Sequence, residues 1–370
     1  MTVRAVSPDR LSHARTAAAT AGIDALLVTP GPDLRWLTGY EALPLERLTC
    51  LVVPAEGESF LVAPGLEVPA VEASGVPGLG IEVVGWGETE DPYALVADRL
   101  ATASRVGLAN RMWAEQVLRF RAALPAAEQT LASDVLADLR MRKAPDEVDA
   151  LRRAGQAIDR VHQRMAEFLV PGRSERDAGR LIAAAILEEG HQTVDFVIVG
   201  SGPNGASPHH EVGSRVLESG DAVVVDIGGT TPEGYCSDCT RMYALGEPPA
   251  EFREYFPVLH AAQLAACAQA RPGVTAESVD AAARTVIAEA GFGAAFVHRT
   301  GHGIGVETHE DPYIVSGNTT VLEPGMAFSI EPGIYLAGKH GARIEDIVVL
   351  TGEGIERLNV TDRDVVGLPA

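Results

Sequence analysis

Four runs rich in apolar and β-branched residues are each interrupted by one acid: Asp226 in DAVVVDIGG, Asp238 in YCSDCTRMYAL, Glu331 in MAFSIEPGIY and Glu345 in GARIEDIVVL. Runs of this kind read as buried strands. Aspartate and glutamate are almost never fully buried unless they are paired or bound to metal. Four carboxylates gathered into one region repel each other strongly unless cations lie among them. The fold is thus required to bring these strands together around a positive charge.

The spacing allows it. Asp226 and Asp238 lie twelve residues apart across the turn-rich GGTTPEGY, and Glu331 and Glu345 lie fourteen apart across PGIYLAGKHGA. Each pair suits two adjacent strands that present their acids to one face. Between them runs TGHGIGVETHED, residues 300–311, with His302 and His309 seven apart. Gly301, Gly303 and Gly305 predict a shaped loop there, since glycine is used where the chain bends or approaches something closely.

Four carboxylates with one imidazole make a hard, oxygen-rich donor set that favours manganese or cobalt over the thiolate-rich sites that select zinc. Four acids suffice to bridge two ions. Paired metals about 3.5–4 Å apart lower the pKa of water and polarise a substrate oxygen, which is hydrolytic machinery. His209 and His210 follow another glycine- and proline-rich loop, SGPNGASP, and gain meaning only beside such a centre.

Composition excludes several other classes. A net charge of -21 argues against nucleic acid, which needs a basic footprint, and against anionic membranes. No run of eighteen or more apolar residues occurs, and the N-terminal MTVRAVSPDRLSHAR lacks an apolar signal core, so a cytoplasmic protein is expected. Of the four cysteines, Cys236 and Cys239 have C-x-x-C spacing, but no second pair accompanies them. They read as small buried apolar residues rather than a zinc or redox pair.

The length of 370 residues suggests two domains. Ser7 caps a helix that starts at Pro8, and α/β alternation then continues to about residue 140 with no polar constellation. Pro145 opens a long helix with Val148, Leu151, Ala154, Ile158 and Val161 at helical spacing, its charges forming a solvated face. Helices near 174–190, 249–271 and 275–290 accompany strands that begin at DFVIVGS. Strands joined by hairpins with helices gathered between them predict an α+β domain with a mainly antiparallel sheet.

The order Asp226, Asp238, His302 in GHGIG, His309 in THEDP, Glu331 in IEPGIY and Glu345 in RIED resembles the pita-bread metallopeptidases, the methionine aminopeptidase and prolidase superfamily. The two-domain length and the WLTGY segment are similar to its creatinase/prolidase branch, which includes prolidase and aminopeptidase P. The resemblance implies a smaller α/β creatinase-like N-terminal domain over 1–140. It implies a pita-bread catalytic domain over 141–370, a curved antiparallel sheet covered by helices.

It further implies that Asp226, Asp238, His302, Glu331 and Glu345 ligate two divalent ions, manganese foremost and cobalt or zinc as substitutes, with Asp238 and Glu345 bridging. Glu331 would accept the proton of the attacking water, His309 would bond the scissile carbonyl oxygen, and His209 would contact substrate. Tyr335, Arg343, Thr240 and Arg241 would support the site. The implied activity is hydrolysis of the Xaa-Pro bond at the N-terminus of dipeptides or short proline-containing peptides, by a homodimer. The alternative is an inactive relative that keeps the fold as a binding module.

Overall fold

The computed structural model describes residues 6, 7 and 9–370. Pro8 and the first five residues of the expected 1–140 domain lie outside them. The chain divides into two compact units, Met1–Arg140 and Met141–Ala370.

In the first unit a helix over Asp9–Thr20 starts where Ser7 Oγ accepts a hydrogen bond from the Asp9 N–H at 3.3 Å. The strands are β1 (Ala25–Val28), β2 (Cys50–Pro54), β3 (Phe60–Pro64), β4 (Glu82–Trp86), β5 (Arg105–Leu108) and β6 (Glu128–Leu131). They form one mixed sheet in the order β4-β3-β2-β1-β5-β6. The central strands β1, β2 and β3 are buried along their whole length, as their unbroken apolar runs require, and the edge strands β4 and β6 are mostly open. Trp36-Leu37-Thr38 end a short helix, and Gly39 takes the left-handed conformation at its C-cap, φ 70°.

The second unit opens with the helix Pro145–Gln163, its first turn closed by the Glu147 side chain accepting from the Ala144 N–H at 3.0 Å. Leu151, Ala154, Ile158 and Val161 are buried as the helical period predicts. The charges on this helix are not all solvated, however. Glu147 is buried and accepts from the Tyr235 hydroxyl at 2.8 Å, while Asp159 is buried and accepts from the Val360 N–H and the Thr361 hydroxyl at 2.6 and 2.8 Å. Both acids serve orphan donors of distant segments, which no helical pattern can reveal.

Strands β7 (Thr193–Ser201), β8 (Ala222–Thr230) and β9 (Cys239–Leu245) form an antiparallel meander, and β17 (Val366–Leu368) adds to β9 in parallel. A second sheet has the order β11-β10-β12-β15-β16, with β10 (Gly301–Gly303), β11 (Glu310–Ile314), β12 (Ala327–Ile330), β15 (Asp346–Leu350) and β16 (Ile355–Arg357), antiparallel throughout. Between β12 and β15 the chain turns out into a separate hairpin of β13 (Gly333–Leu336) and β14 (His340–Arg343). One apolar core joins the β7-β8-β9 meander to the helices Pro145–Gln163 and Glu175–Glu188. Another joins the second sheet to the helices Ala250–Gln269 and Ala276–Glu289.

The expected loop at 300–311 is in part a strand. Gly301 and Gly303 lie in β10, hydrogen-bonded between β11 and β12 with a register shift between the two glycines. The glycines serve close packing: a Cβ at Gly301 would overlap the Ser329 carbonyl, and one at Gly303 the Asp311 carbonyl. The shift is a bulge, a device that re-aims the side chain at its centre, here His302.

Candidate metal centre

The four acids sit mainly where strands begin or end. Asp226 is within β8, opposite Thr240 of β9. Asp238 immediately precedes β9, Glu331 follows β12, and Glu345 lies between β14 and β15. Because β12 pairs with β15 so that Ile330 faces Asp346, Glu331 and Glu345 emerge from the same end of that ladder. Strand ends tolerate such residues because the backbone ladder is already breaking there, which corrects the expectation that each acid interrupts a strand interior.

These residues form overlapping clusters whose potential ligand atoms lie within 4.8 Å of one another: Asp226, Asp238 and Glu345; His302, Glu331 and Glu345; and Asp238, His302 and His309. His309 therefore comes within ligand reach, its ring centroid 4.0 Å from that of His302. His209 lines the same cavity and is exposed to it. His210 also lines it, but its Nε2 is held at 2.8 Å by the buried Glu175.

Among the described residues, hydrogen bonding leaves one carboxylate oxygen of each of two cluster residues without a partner and turns one ring nitrogen of a third toward the acids. Arg343 donates to Oδ2 of Asp226, and Thr240 donates to Oε2 of Glu345 at 2.9 Å. Asp226 Oδ1 and Glu345 Oε1 are buried with no hydrogen-bond partner. The Gly303 carbonyl, 3.1 Å from His302 Nδ1, can only accept, so a neutral ring carries its proton on Nδ1. Its Nε2 then presents a lone pair to Glu331 Oε1 at 3.1 Å and to Asp238 Oδ2 at 3.6 Å. Lone pairs converging in a buried space are costly unless a cation fills it, so the donor set fits divalent metal.

Electrostatics point the same way. Burial, then the charges of Glu345, Asp226 and Glu331, push the Asp238 carboxyl well above its usual range. Burial, then Glu331 and Asp226, does the same to Glu345. Burial also acts upward on Glu331, but in the metal-free site a second proton, on His302 Nε2, bonds its carboxylate and, with His298 and Arg343, holds it down at about 2, a place that a cation would take over from that proton. Such like-charged groups titrate as a set, and a bound cation reverses the balance by favouring the ionised forms. His309 is held down to about 4, first by the wall that desolvates it and then by the charge of His302.

The supporting residues are ordered by hydrogen bonds. Arg343 donates from Nε to Thr240 at 3.0 Å and from Nη1 to the Tyr335 hydroxyl at 2.7 Å and the Pro208 carbonyl at 3.3 Å. Arg241 touches no acid of the cluster through its side chain. It binds the backbone carbonyls of Thr240 and Glu345 and pairs with the buried Asp346 at 2.7 Å, fixing the strand ends from beneath.

Three participants escaped the sequence reading. Ser329 Oγ accepts from the His302 N–H at 2.9 Å and donates to Glu331 at 3.0 Å. It lies two residues before Glu331, a same-face spacing that was available as a signal. His298 Nε2 lies 2.9 Å from the Tyr335 hydroxyl, and Arg299 lines the cavity. Only their adjacency to the glycine-rich motif could have suggested them. The cavity itself is ≈ 690 Å³, with Phe196, Ile198 and Pro208 as an apolar wall.

The model of metallopeptidase family M24 matches residues 149–352, and that of the creatinase/prolidase N-terminal domain matches residues 10–142. The chain is 53% identical over 361 residues to the "Probable dipeptidase PepE" of Mycobacterium bovis, spanning 97% of this chain and 96% of that one. It is 36% identical to the Xaa-Pro dipeptidase of Lactobacillus delbrueckii subsp. lactis, over 94% of this chain and 96% of the relative. Among solved structures, dipeptidase PepE from Mycobacterium ulcerans superposes with a TM-score of 0.94 at 50% identity, covering 98% of each chain.

Proposed function

The chain belongs to metallopeptidase family M24, in its creatinase/prolidase branch, and from that premise we propose that it hydrolyses the Xaa-Pro bond of dipeptides or short peptides at the N-terminal residue. The observation that carries the reading is the inward-facing set of Asp226 Oδ1, Glu345 Oε1 and His302 Nε2 inside a cavity large enough for a dipeptide.

In this reading Asp226, Asp238, His302, Glu331 and Glu345 hold two divalent ions. Asp238 and Glu345 are the carboxylates that belong to two of the clusters, as His302 also does, and they would help to hold both ions. Bound there, the ions supply Lewis acidity and lower the pKa of water. Glu331, oriented by Ser329, takes the proton of the attacking water. His309 donates a hydrogen bond to the carbonyl oxygen as charge develops on it. His209 contacts substrate from the opposite loop, and Phe196, Ile198 and Pro208 offer an apolar surface for the proline ring.

The oxygen-rich donor set supports manganese, with cobalt or zinc as substitutes. Residues 1–140 are the creatinase-like domain and 141–370 the catalytic domain in this reading, supported by the division after Arg140 and by the two family matches. Four free cysteines suit a reducing, cytoplasmic compartment. Among the described residues no helix is long and apolar enough to cross a membrane. The branch resemblance supports a homodimer, which sedimentation at micromolar concentration tests.

The test of function compares metal-stripped and manganese-reconstituted protein on Ala-Pro and on a longer Ala-Pro-Xaa peptide. Manganese-dependent release of alanine is expected. Cleavage confined to Ala-Pro identifies a dipeptidase, and cleavage of both identifies an aminopeptidase of the longer-peptide kind. Substantial activity remaining in a folded Glu331→Ala variant would refute the assignment of the site.

A further inference from the structure

We propose that Asp195 selects substrates whose Xaa residue carries a cationic side chain, lysine or arginine, an inference that rests on the Xaa-Pro reading and deepens it. Asp195 lines the cavity at an irregularity of β7: Val194 pairs with Gly229 and Phe196 with Gly228, so Asp195 is the extra residue of a bulge. A bulge re-aims the side chain it carries.

The register gives the direction. Asp226, Gly228 and Thr230 share one face of β8, and Ile198, Phe196 and Thr193 lie opposite them on β7. The Asp195 carboxylate accepts from the Thr193 and Thr230 hydroxyls at 3.2 and 2.7 Å, so it lies on that same face, the one that carries Asp226. In an unbulged strand with Phe196 on this face, Asp195 would point to the other, where Ile186 and His191 pack over Gly229.

Each hydroxyl occupies one oxygen of Asp195 and leaves further lone pairs for the cavity. Among the described residues no cation pairs with this carboxylate. Its charge reaches His191, but burial holds that ring's pKa down, so the imidazole is not a counter-ion. Asp195 is thus a positioned anion that nothing in the protein neutralises.

Position decides what it can bind. Ile198, the residue opposite Asp226, is three residues from Asp195, about 10 Å of strand. The α-ammonium of a bound substrate stays beside the scissile carbonyl at the metal centre and does not reach so far. A long side chain does. The Phe196 ring, lying across Gly228 between Asp226 and Thr230, offers the aliphatic stem an apolar track, and Ile198 and Pro208 remain for the proline ring. A C-terminal carboxylate turned this way would meet a like charge, so Asp195 belongs to the end of the cavity that holds Xaa.

Steady-state kinetics on the manganese-loaded full chain tests this with Lys-Pro, norleucyl-proline, which lacks only the side-chain ammonium, and Ala-Pro-Lys, in wild type, Asp195→Asn and Asp195→Glu. The wild type should prefer Lys-Pro to norleucyl-proline, and Asp195→Asn should lower that ratio of kcat/KM about fivefold, mainly through KM. Salt at about 1 M, where the Debye length is about 3 Å, should erase the wild-type preference. Asp195→Glu keeps the charge and should keep part of the preference. An unchanged ratio in Asp195→Asn, or a loss confined to Ala-Pro-Lys, overturns the proposal, with manganese content and thermal unfolding of each variant as the folding control.

Wild-type silence on every Xaa-Pro substrate would instead overturn the activity on which the proposal rests. Calorimetric binding of Lys-Pro and norleucyl-proline to the same proteins then still decides Asp195. A preference for Lys-Pro that Asp195→Asn abolishes supports it, and equal or absent binding overturns it.

Discussion

Removing the Glu175 carboxylate is expected to destabilise the catalytic unit and to loosen the wall that carries His209 and His210. Glu175 is fully buried at the first turn of the helix Glu175–Glu188. It accepts from the Ser201 N–H at 2.9 Å, the Ser201 hydroxyl at 2.5 Å, the Asn204 amide at 3.0 Å and His210 Nε2 at 2.8 Å. These donors bracket the turn at Gly202–Ala206 that leads into the histidine pair.

In Glu175→Ala the buried Ser201 N–H loses its acceptor, at a cost of about 1–3 kcal/mol, and the bonds from Asn204 and His210 to an ionised group are lost at about 1.5 kcal/mol each. The sum is about 4–6 kcal/mol without the Ser201 hydroxyl, which accepts from Arg215 at 2.6 Å and also loses the acceptor of its own proton. A loss of about 4 kcal/mol lowers Tm by roughly 8–16 °C for a unit of this size. Calorimetry of the metal-free protein measures it. The same variant, assayed with manganese below its Tm, should show a raised KM for Ala-Pro. A Tm within about 2 °C of wild type would refute this account of the loop's rigidity, since even the low end of the estimate exceeds that shift.

Ser329→Ala removes the hydroxyl that joins the His302 backbone to Glu331 and is expected to weaken manganese binding about ten- to hundredfold, read by calorimetric titration. Divalent manganese at about 100 times its Kd should raise stability by about 2.7 kcal/mol per site, and a chelator should return Tm to the metal-free value. The buried His162 carries a third prediction. Burial, then the charge of Arg241, depresses its pKa to about 3, against about 6.5 when unfolded. The unfolded chain therefore binds the extra proton first as pH falls, so this stabilisation is complete above about pH 6.5 and is lost between about 6.5 and 3, on the order of 5 kcal/mol in all. His162→Gln should flatten urea-measured stability against pH in that window, and an unchanged slope would count against the histidine as its source.

The helix over Pro145–Gln163 was legible because its apolar positions recur at a period that only a helix can bury on one face, and the one over Glu175–Glu188 because it is rich in alanine and leucine. The acids at 226, 238, 331 and 345 were legible as a group because a carboxylate in an apolar run is too costly to be incidental. Glu147 and Asp159 were not, since an acid on an amphipathic helix looks solvated until its distant partner is known. The pairing of Arg241 with Asp346 was equally hidden, because Arg357 and Arg363, which join that buried ion-pair network, come from beyond the strand that carries Asp346.

What this chain's sequence determined by itself was the inventory: which residues are too polar to bury alone, which are small enough to permit close approach, and in what order they come. The tertiary structure alone decided which atoms of those residues remain available. Thr240 and Arg343 each occupy one oxygen of a carboxylate and leave the other facing inward, and the Gly303 carbonyl, across the bulge, sets which nitrogen of His302 points to the acids. The reason is directional: hydrogen bonds depend on angstrom-scale placement of partners far apart in sequence, whereas burial and periodicity are properties a single segment already carries.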